Sequence, residues 1–194
     1  APSVYPYLKT SRDLRADPGR WHRSYLCSGI TAVFDVGGHP WTTTLPDVSE
    51  NDTRAVHVRT AGPLITHATR MALMADDEHY TFLPMDTPAE VARSVQTLAE
   101  MGSSAVKVWY LRPLAERLGG LDARLMQIGD LARDAGLDLI VHATGLREAK
   151  TALRAGAKFL VHSVRDEFVD DEFLDLLRVN QAVYAPTLVV GRFS

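Results

Sequence analysis

The chain has 194 residues, of which 46% are hydrophobic, 23% charged and 8% aromatic. This composition is typical of a globular domain that buries a sizeable core. The formal net charge of -3 argues against a strongly basic nucleic-acid-binding surface, and the single cysteine, Cys27, excludes an intrachain disulfide framework and a cysteine-rich zinc site. No apolar run approaches the ~20 residues of a membrane-spanning helix. We therefore predict a soluble protein without a membrane or nucleic-acid partner, whose compartment (cytoplasmic, periplasmic or secreted) stays open.

A repeated pattern of helix followed by strand runs along most of the chain. In each repeat an amphipathic stretch ends in a residue suited to a left-handed backbone, and a short β-branched apolar run follows at once. The predicted helix stops are Gly29, Gly102, Gly136, Gly156 and Asn180. The apolar runs are nearly unbroken rather than alternating, which is typical of strands buried on both faces of a parallel sheet.

Six parallel strands are predicted from these runs. They lie near residues 31–36, 55–61, 104–110, 137–142, 158–162 and 182–187. Strands that alternate with helices, with no second compositional zone, predict one α/β domain, either a barrel or a doubly wound sheet. Residues 37–54 and 62–87 are interpreted as long loops after strands, where binding and catalysis usually take place in α/β folds.

Polar residues follow the predicted strands at their carboxyl ends. Asp35, His142 and His162 each stand six positions after the helix stop of their repeat, and Pro186 and Thr187 occupy the matching place in the last repeat. A buried polar group without a partner costs ~1–3 kcal/mol, so these side chains need partners or a function. Taken alone, each histidine is more often a hydrogen-bonded core residue than a ligand.

Lys107 lies inside AVKVWY, a run that should form a buried strand. Lysine is rarely buried without a partner or a function, and burial lowers its pKa and makes the neutral amine available for covalent chemistry. Such an amine forms a Schiff base with a carbonyl substrate, or reacts with carbon dioxide to give a carbamate that bridges two metal ions as a carboxylate does. The second chemistry needs imidazoles close by, which His142 and His162 would supply from the next two strands. Both alternatives stay open at this point.

Four stretches resemble successive strand modules of the amidohydrolase superfamily, in particular its imidazolonepropionase-like and Xaa-Pro-dipeptidase-like branch. The stretches are SGITAVFDVGG, SSAVKVWY, LIVHATGLREAKTALRAGAKFLVHS and VYAPTLVV. The resemblance covers about residues 20–190 and implies a (β/α)8 TIM barrel in which one or two divalent metal ions, usually zinc, activate water to hydrolyse amide or related C–N bonds. It also implies that Lys107 is the strand-four lysine, often carboxylated, that bridges the metals. By the same resemblance, His142 and His162 match the strand-five and strand-six histidines that bind the second metal.

Two parts of the family pattern are absent from these residues. No two histidines are two positions apart, as the strand-one His-x-His pair requires, and the strand-eight aspartate expected as base would lie beyond Ser194. We therefore expect residues 1–194 to form one incomplete barrel domain that covers strands two to seven and holds no catalytic base. The length agrees, because a closed barrel typically needs about 250 residues. Two open sheet edges would favour association with the rest of the barrel or with a second copy.

The long loops and the end of the Lys107 strand supply candidate substrate contacts. His67, His79 and Tyr110 are predicted to touch substrate, and Asp35 is expected to shape its loop rather than to act in catalysis. The predicted function is metal-dependent hydrolysis of a cyclic amide, a dipeptide or a related small amide. Zinc is the first choice of metal, with manganese, cobalt and nickel open. A Schiff-base lyase that uses Lys107, and an inactive fragment or binding partner, are the alternatives.

Overall fold

Helices and parallel strands alternate in the computed structural model, which describes residues 7–67, 81–110 and 120–187. The helices are α1 (Tyr7–Ala16), α2 (Pro18–Cys27), α3 (Leu45–Glu50), α4 (Pro88–Glu100), α5 (Leu121–Asp134), α6 (Leu146–Arg154) and α7 (Asp171–Asn180), with a 3-10 turn over Pro40–Thr44. The strands are β1 (Ala32–Asp35), β2 (His57–Thr60), β3 (Leu64–Thr66), β4 (Phe82–Pro84), β5 (Ala105–Trp109), β6 (Asp138–His142), β7 (Phe159–Val161) and β8 (Val183–Ala185). None of the helices within these described ranges has the length and apolar character needed to cross a bilayer.

The strands form one continuous parallel surface. Six of them make a sheet in the order β4-β3-β5-β6-β7-β8, and β1 pairs with β2 next to it. Because β2 leads into β3 after a short turn, and the Ser104 N–H before β5 donates to the Thr60 carbonyl at the end of β2 (2.7 Å), the smaller sheet continues the larger one. The strand sequence around the surface is therefore β1, β2 with β3, β5, β6, β7 and β8, and β4 pairs with β3 on the side away from β5.

This surface curves into part of a barrel. The rings of Phe34 on β1 and Phe159 on β7 lie 6.1 Å apart between centroids. In a flat sheet the two strands would be four strand spacings, about 19 Å, from each other. The sheet must therefore curl until β1 faces β7, with both rings inside the curve. The predicted fold class, a partial (β/α)8 barrel of parallel strands with flanking helices, is confirmed.

The alternation of side chains along the strands separates two layers. Val106, Val108, Leu139, Val141 and Leu160 point toward the helices and belong to the main apolar core. The intervening residues of the same strands point the other way, into the barrel: Lys107, Trp109, Ile140, His142 and Phe159. A smaller core of Leu45, Val56 and Val58 lies under β1 and β2.

The six predicted strands are all present, but the predictions of a loop throughout 37–54 and throughout 62–87 were wrong. The first stretch contains the 3-10 turn and α3. The second contains β3 and β4, each three residues long, which pair with one another. Strands so short leave almost no periodic signal in a sequence. The predicted stop at Asn180 is also corrected, because Asn180 ends α7 itself and Gln181 takes the left-handed backbone (φ 51°).

Local sequence signals explain where α4 and α7 begin. Thr87 and Glu90 form a reciprocal capping box at the start of α4, with Pro88 in its first turn. Asp170 accepts the Phe173 N–H (3.0 Å) and caps α7. Both helix starts thus depend on short-range contacts between residues close in sequence.

Candidate active site

Lys107 is buried inside the barrel, with no counter-ion among the residues that the structure describes. Only 2% of its surface is exposed, and no carboxylate or hydrogen-bond acceptor within the described ranges contacts its amine. Burial lowers the pKa of this amine from 10.5 to about 8. A larger fraction of the amine is therefore neutral near pH 7 than for an exposed lysine, although most of it is still charged, and the neutral amine is a nucleophile.

His142 ends β6 and lies directly beside the end of β5. The register pairs His142 with Trp109, and their ring centroids are 5.9 Å apart. Trp109 in turn contacts Phe82 of β4 at 5.3 Å, so aromatic rings line the inner face of the carboxyl end of the sheet. Strand alternation directs the His142 ring into the barrel interior, on the same face of the sheet as Lys107.

His162 reaches the same place by a different route. Strand alternation alone would put position 162 on the helix-facing side with Leu160. His162 instead has a left-handed backbone, with φ +78°, which is uncommon for any residue other than glycine. Its ring lies 4.4 Å from the His142 ring between centroids, at an angle of 63°. The unusual backbone therefore accompanies the convergence of the two imidazoles.

The electrostatic surroundings of His162 favour the neutral ring. Its pKa is lowered first by burial and then by the positive charges of Lys107 and Arg165. Its Nδ1 lies 3.0 Å from Oγ1 of Thr187, just after β8. A metal ion binds the neutral imidazole, so this environment holds His162 in the form that a metal requires.

The donor set fits a divalent metal ion only in part. Two imidazoles suit zinc, copper, iron or nickel, and a carbamate on Lys107 would add a hard oxygen ligand. Among residues 7–67, 81–110 and 120–187, no three His, Cys, Asp or Glu side chains converge on one point. Any metal held at this position would thus need Lys107 or further ligands to complete its coordination.

Tyr110, predicted to touch substrate, has its hydroxyl engaged within the protein. It is buried at the end of β5 and donates to Asp122 of α5, which also accepts a hydrogen bond from Arg147 (2.5 Å). Burial, followed by the hydrogen bond and charge of Asp122, raises the pKa of Tyr110. The tyrosine also lines a cavity of about 270 Å³, bounded as well by Thr144, Gly145, Glu148, Arg165 and Asp166. Its ring can therefore border a ligand, while its hydroxyl is held by α5.

Of the two histidines predicted to touch substrate, one lies at the carboxyl end of the sheet and the other lies outside the described residues. His67 follows β3 and is buried, with 5% of its surface exposed. Thr66, the residue before it, donates to the Trp109 carbonyl (3.3 Å), so His67 lies at the carboxyl end of the sheet near β5. His79 lies outside the described residues. The substrate roles of His67, His79 and Tyr110 stay predictions.

Asp35 and His39 belong to a separate, larger cavity. Asp35 accepts the Gly37 N–H (3.3 Å), and burial raises its pKa, partly offset by that bond and by Thr42. Asp35 and His39 line a cavity of about 500 Å³ near α1, α2 and β1. Asp35 thus stabilises its own loop, as the sequence indicates.

Thr187 is the site residue whose contact the sequence did not predict. Its position, directly after Pro186 at a strand end, was a visible signal, since polar residues at such positions need partners. What the sequence could not supply was the direction of the His162 ring that Thr187 contacts.

No protein-family model and no curated protein matches the chain. Several solved structures match its fold at high probability. Ochratoxinase from A. niger has a TM-score of 0.71 at 18% identity, over 95% of this chain and 49% of that chain. Phenylurea hydrolase B has a TM-score of 0.71 at 16% identity, over 95% and 48%. A Xaa-Pro dipeptidase with methionine bound in its active site has a TM-score of 0.65 at 24% identity, over 86% and 44%.

These similarities establish the fold class. The proteins named are enzymes, two of them hydrolases or dipeptidases by name, and the chain spans about half the length of each. The matches agree with the barrel deduced from the curvature of the sheet. At 16–24% identity they show the fold alone, and the chemistry of this chain depends on its own residues.

Proposed function

We propose that this chain carries part of the active site of a metal-dependent hydrolase that cleaves an amide or other C–N bond in a small molecule. The observation that carries the proposal is the convergence of buried Lys107 with the imidazoles of His142 and His162 at one end of a parallel barrel. That end is where the active sites of such barrels are found. A cyclic amide or a dipeptide is the substrate class we favour.

The chemistry of these residues follows from their surroundings. A bound divalent metal ion, with zinc preferred, would lower the pKa of water and polarise the carbonyl of the substrate. His142 and His162 would act as neutral imidazole ligands. The neutral amine of Lys107 would attack carbon dioxide, forming an N–C bond and losing a proton to solvent, and the resulting carbamate would serve as an oxygen ligand. Trp109 and Phe82 would keep this side of the site dry, which strengthens every charge interaction within it.

The structural neighbours support the same reaction class. A Xaa-Pro dipeptidase acts on a peptide bond by name, and a phenylurea hydrolase on a urea, so both names refer to C–N bonds next to a carbonyl. Since those chains are about twice as long, we expect the water-activating base and the rest of the metal ligands to come from outside residues 1–194. We therefore expect little turnover from the 194-residue chain alone.

The amine of Lys107 also supports a second candidate, a Schiff-base lyase, because it is buried and has no described counter-ion. In that reaction the amine would add to a substrate carbonyl and lose water to form an imine. The imidazole pair has no evident role there, which makes hydrolysis the better account. Borohydride trapping of a carbonyl compound on Lys107 would favour the lyase, whereas metal binding that depends on both histidines would favour the hydrolase.

Zinc binding provides the direct test of the hydrolase proposal. The chain, first stripped with a chelator, should bind fewer than two zinc ions by equilibrium dialysis and elemental analysis. The variants His142→Ala and His162→Ala should lose most of this binding, because each removes one of the converging imidazoles. His57→Ala is the matched control, since His57 is exposed on β2 and pairs with Glu50 (3.2 Å). Equal binding by all four proteins would contradict the proposed metal site.

A further inference from the structure

We infer that Thr187 is a positioning residue for His162: its hydroxyl holds the ring so that Nδ1 carries the proton and Nε2 presents its lone pair. The inference rests on the proposed function, because an available Nε2 is what a metal ligand needs. Thr187 has no proposed contact with the metal or the substrate. It would act through His162.

The backbone of His162 needs support from elsewhere in the structure. A left-handed conformation costs a residue other than glycine of order 1–3 kcal/mol and persists only where its surroundings impose it. Two contacts from the same segment supply that support. The His162 N–H donates to the Ala185 carbonyl (3.1 Å), and the ring Nδ1 meets Thr187 Oγ1 (3.0 Å). β8 and the two residues after it therefore hold both the backbone and the ring of His162.

The tautomer follows from which nitrogen is engaged. A neutral imidazole has one N–H donor and one acceptor nitrogen, and a hydroxyl can satisfy either. Among the described residues, Thr187 is the hydrogen-bonding partner of the His162 ring. If Nδ1–H donates to Oγ1 of Thr187, Nε2 keeps its lone pair. In metal sites a ligating histidine almost always donates its other N–H in this way, which fixes the ring orientation and raises its basicity.

The 3.0 Å contact alone allows both directions of donation, and NMR distinguishes them without any metal. In the metal-free, 15N-labelled chain above the pKa of the ring, long-range ¹H–¹⁵N spectra should show His162 with Nδ1 protonated and Nε2 unprotonated. The ring signals are assigned by their loss in His162→Asn. Thr187→Val should give a mixture of both tautomers, because the hydroxyl is gone while the branched shape stays. Thr187→Ser should behave as the unmodified chain does.

Zinc affinity gives the second readout, by competition with a chromophoric chelator. Thr187→Val should bind zinc ~10–100-fold more weakly, the usual effect of losing such a partner of a metal-bound histidine, and Thr187→Ser should restore the affinity. Urea unfolding midpoints show whether each variant is folded.

The possible failures are distinguishable. Nε2 protonated in the unmodified chain, or identical spectra and zinc affinity for the unmodified chain and Thr187→Val, would overturn the role of Thr187. No zinc binding by the unmodified chain, together with the expected tautomers, would count against the proposed function and leave the hydrogen-bond assignment intact.

Discussion

The two halves of the candidate site are held in place by different forces. Lys107 and His142 lie on β5 and β6, which share five register pairs, and four of the five residues of β5 are buried. His162 follows β7, which shares three register pairs with β8, and β8 has no buried residue. Helix α5 is packed into the main core, whereas Val179 of α7 is 81% exposed. Packing therefore dominates the first half, whereas the second half depends on a few hydrogen bonds that hold one strained, left-handed residue in place.

Side chains in one site can thus be held in two ways, by the packing of the core or by local hydrogen bonds. Groups on β5 and β6 are costly to displace because the whole core would have to move with them. His162 is held by local contacts, so small changes near β8 can alter its ring without unfolding the protein. Substitutions in the two halves should consequently differ in which measurement they affect, stability or ligand geometry.

The largest effect on the free energy of unfolding is expected for a substitution in the core that supports Lys107 and His142. Leu125 of α5 is fully buried in the main core beneath β5 and β6. Leu125→Ala should lower the free energy of unfolding by about 2–5 kcal/mol, since it removes apolar contacts and leaves a cavity. Val179→Ala, on the exposed side of α7, should change it by less than about 0.5 kcal/mol. Urea unfolding measures both, and equal losses would contradict the proposed difference between the halves.

The next effect concerns the charge on Lys107. Its removal should raise the free energy of unfolding, whereas Leu125→Ala should lower it. The folded amine has a pKa of about 8 and the unfolded amine one of 10.5, so below pH 8 folding buries a charged group. In metal-free and bicarbonate-free buffer, Lys107→Met should raise the free energy of unfolding at pH 7 by about 3 kcal/mol, because each unit of the lowered pKa corresponds to about 1.36 kcal/mol.

The pH dependence provides the check on this prediction. As the pH rises from 8 toward 10.5, the unfolded chain binds more protons than the folded one, so the stability of the unmodified protein increases. The advantage of Lys107→Met should therefore shrink between pH 7 and pH 10 in urea unfolding. Lys9→Met, on the exposed side of α1, serves as control and should show almost no difference at either pH. A constant advantage at all pH values would mean that burial of the charge is not its cause.

The smallest effect is the difference in stability between a glycine and an alanine variant at each of the two histidine positions, 142 and 162. At position 162 the left-handed backbone favours glycine, so His162→Gly should be more stable than His162→Ala by about 1 kcal/mol. At position 142, which lies in a regular strand, the order should reverse, and His142→Gly should be less stable than His142→Ala by about 0.5–1 kcal/mol. Thermal or urea unfolding of the four variants tests this, and the same order at both positions would argue against strain at His162.

Much of the fold could be predicted because its signals are local. A glycine after an amphipathic stretch marks a helix end by itself, and Gly102, Gly136 and Gly156 indeed have φ of 72°, 71° and 88°. The unbroken apolar runs identified the buried strands in the same way. β3 and β4 escaped prediction because three residues carry too little pattern, and they are defined by pairing with each other and with β5.

The candidate site was predictable in composition but not in geometry. Lys107 and His142 could be placed because strand alternation directs them to one face. The His162 ring lies on the face opposite to the one that strand alternation predicts, and no sequence signal indicates a left-handed backbone at this histidine. The hydroxyl of Tyr110 is bound by Asp122, a contact between β5 and α5 that depends on how the helices pack. Long-range packing of this kind cannot be read from neighbouring residues.

The contact between Phe34 and Phe159 gives the first strand of the chain an influence over chemistry in which it takes no direct part. Lys107, Ile140 and Phe159 are successive register partners, so they lie at one level of the barrel. Phe34 closes against that level from the opposite wall. The low polarity around the lysine amine is thus assembled jointly by β1, β6 and β7, and the reactivity of one nitrogen becomes a property of how completely the barrel is closed.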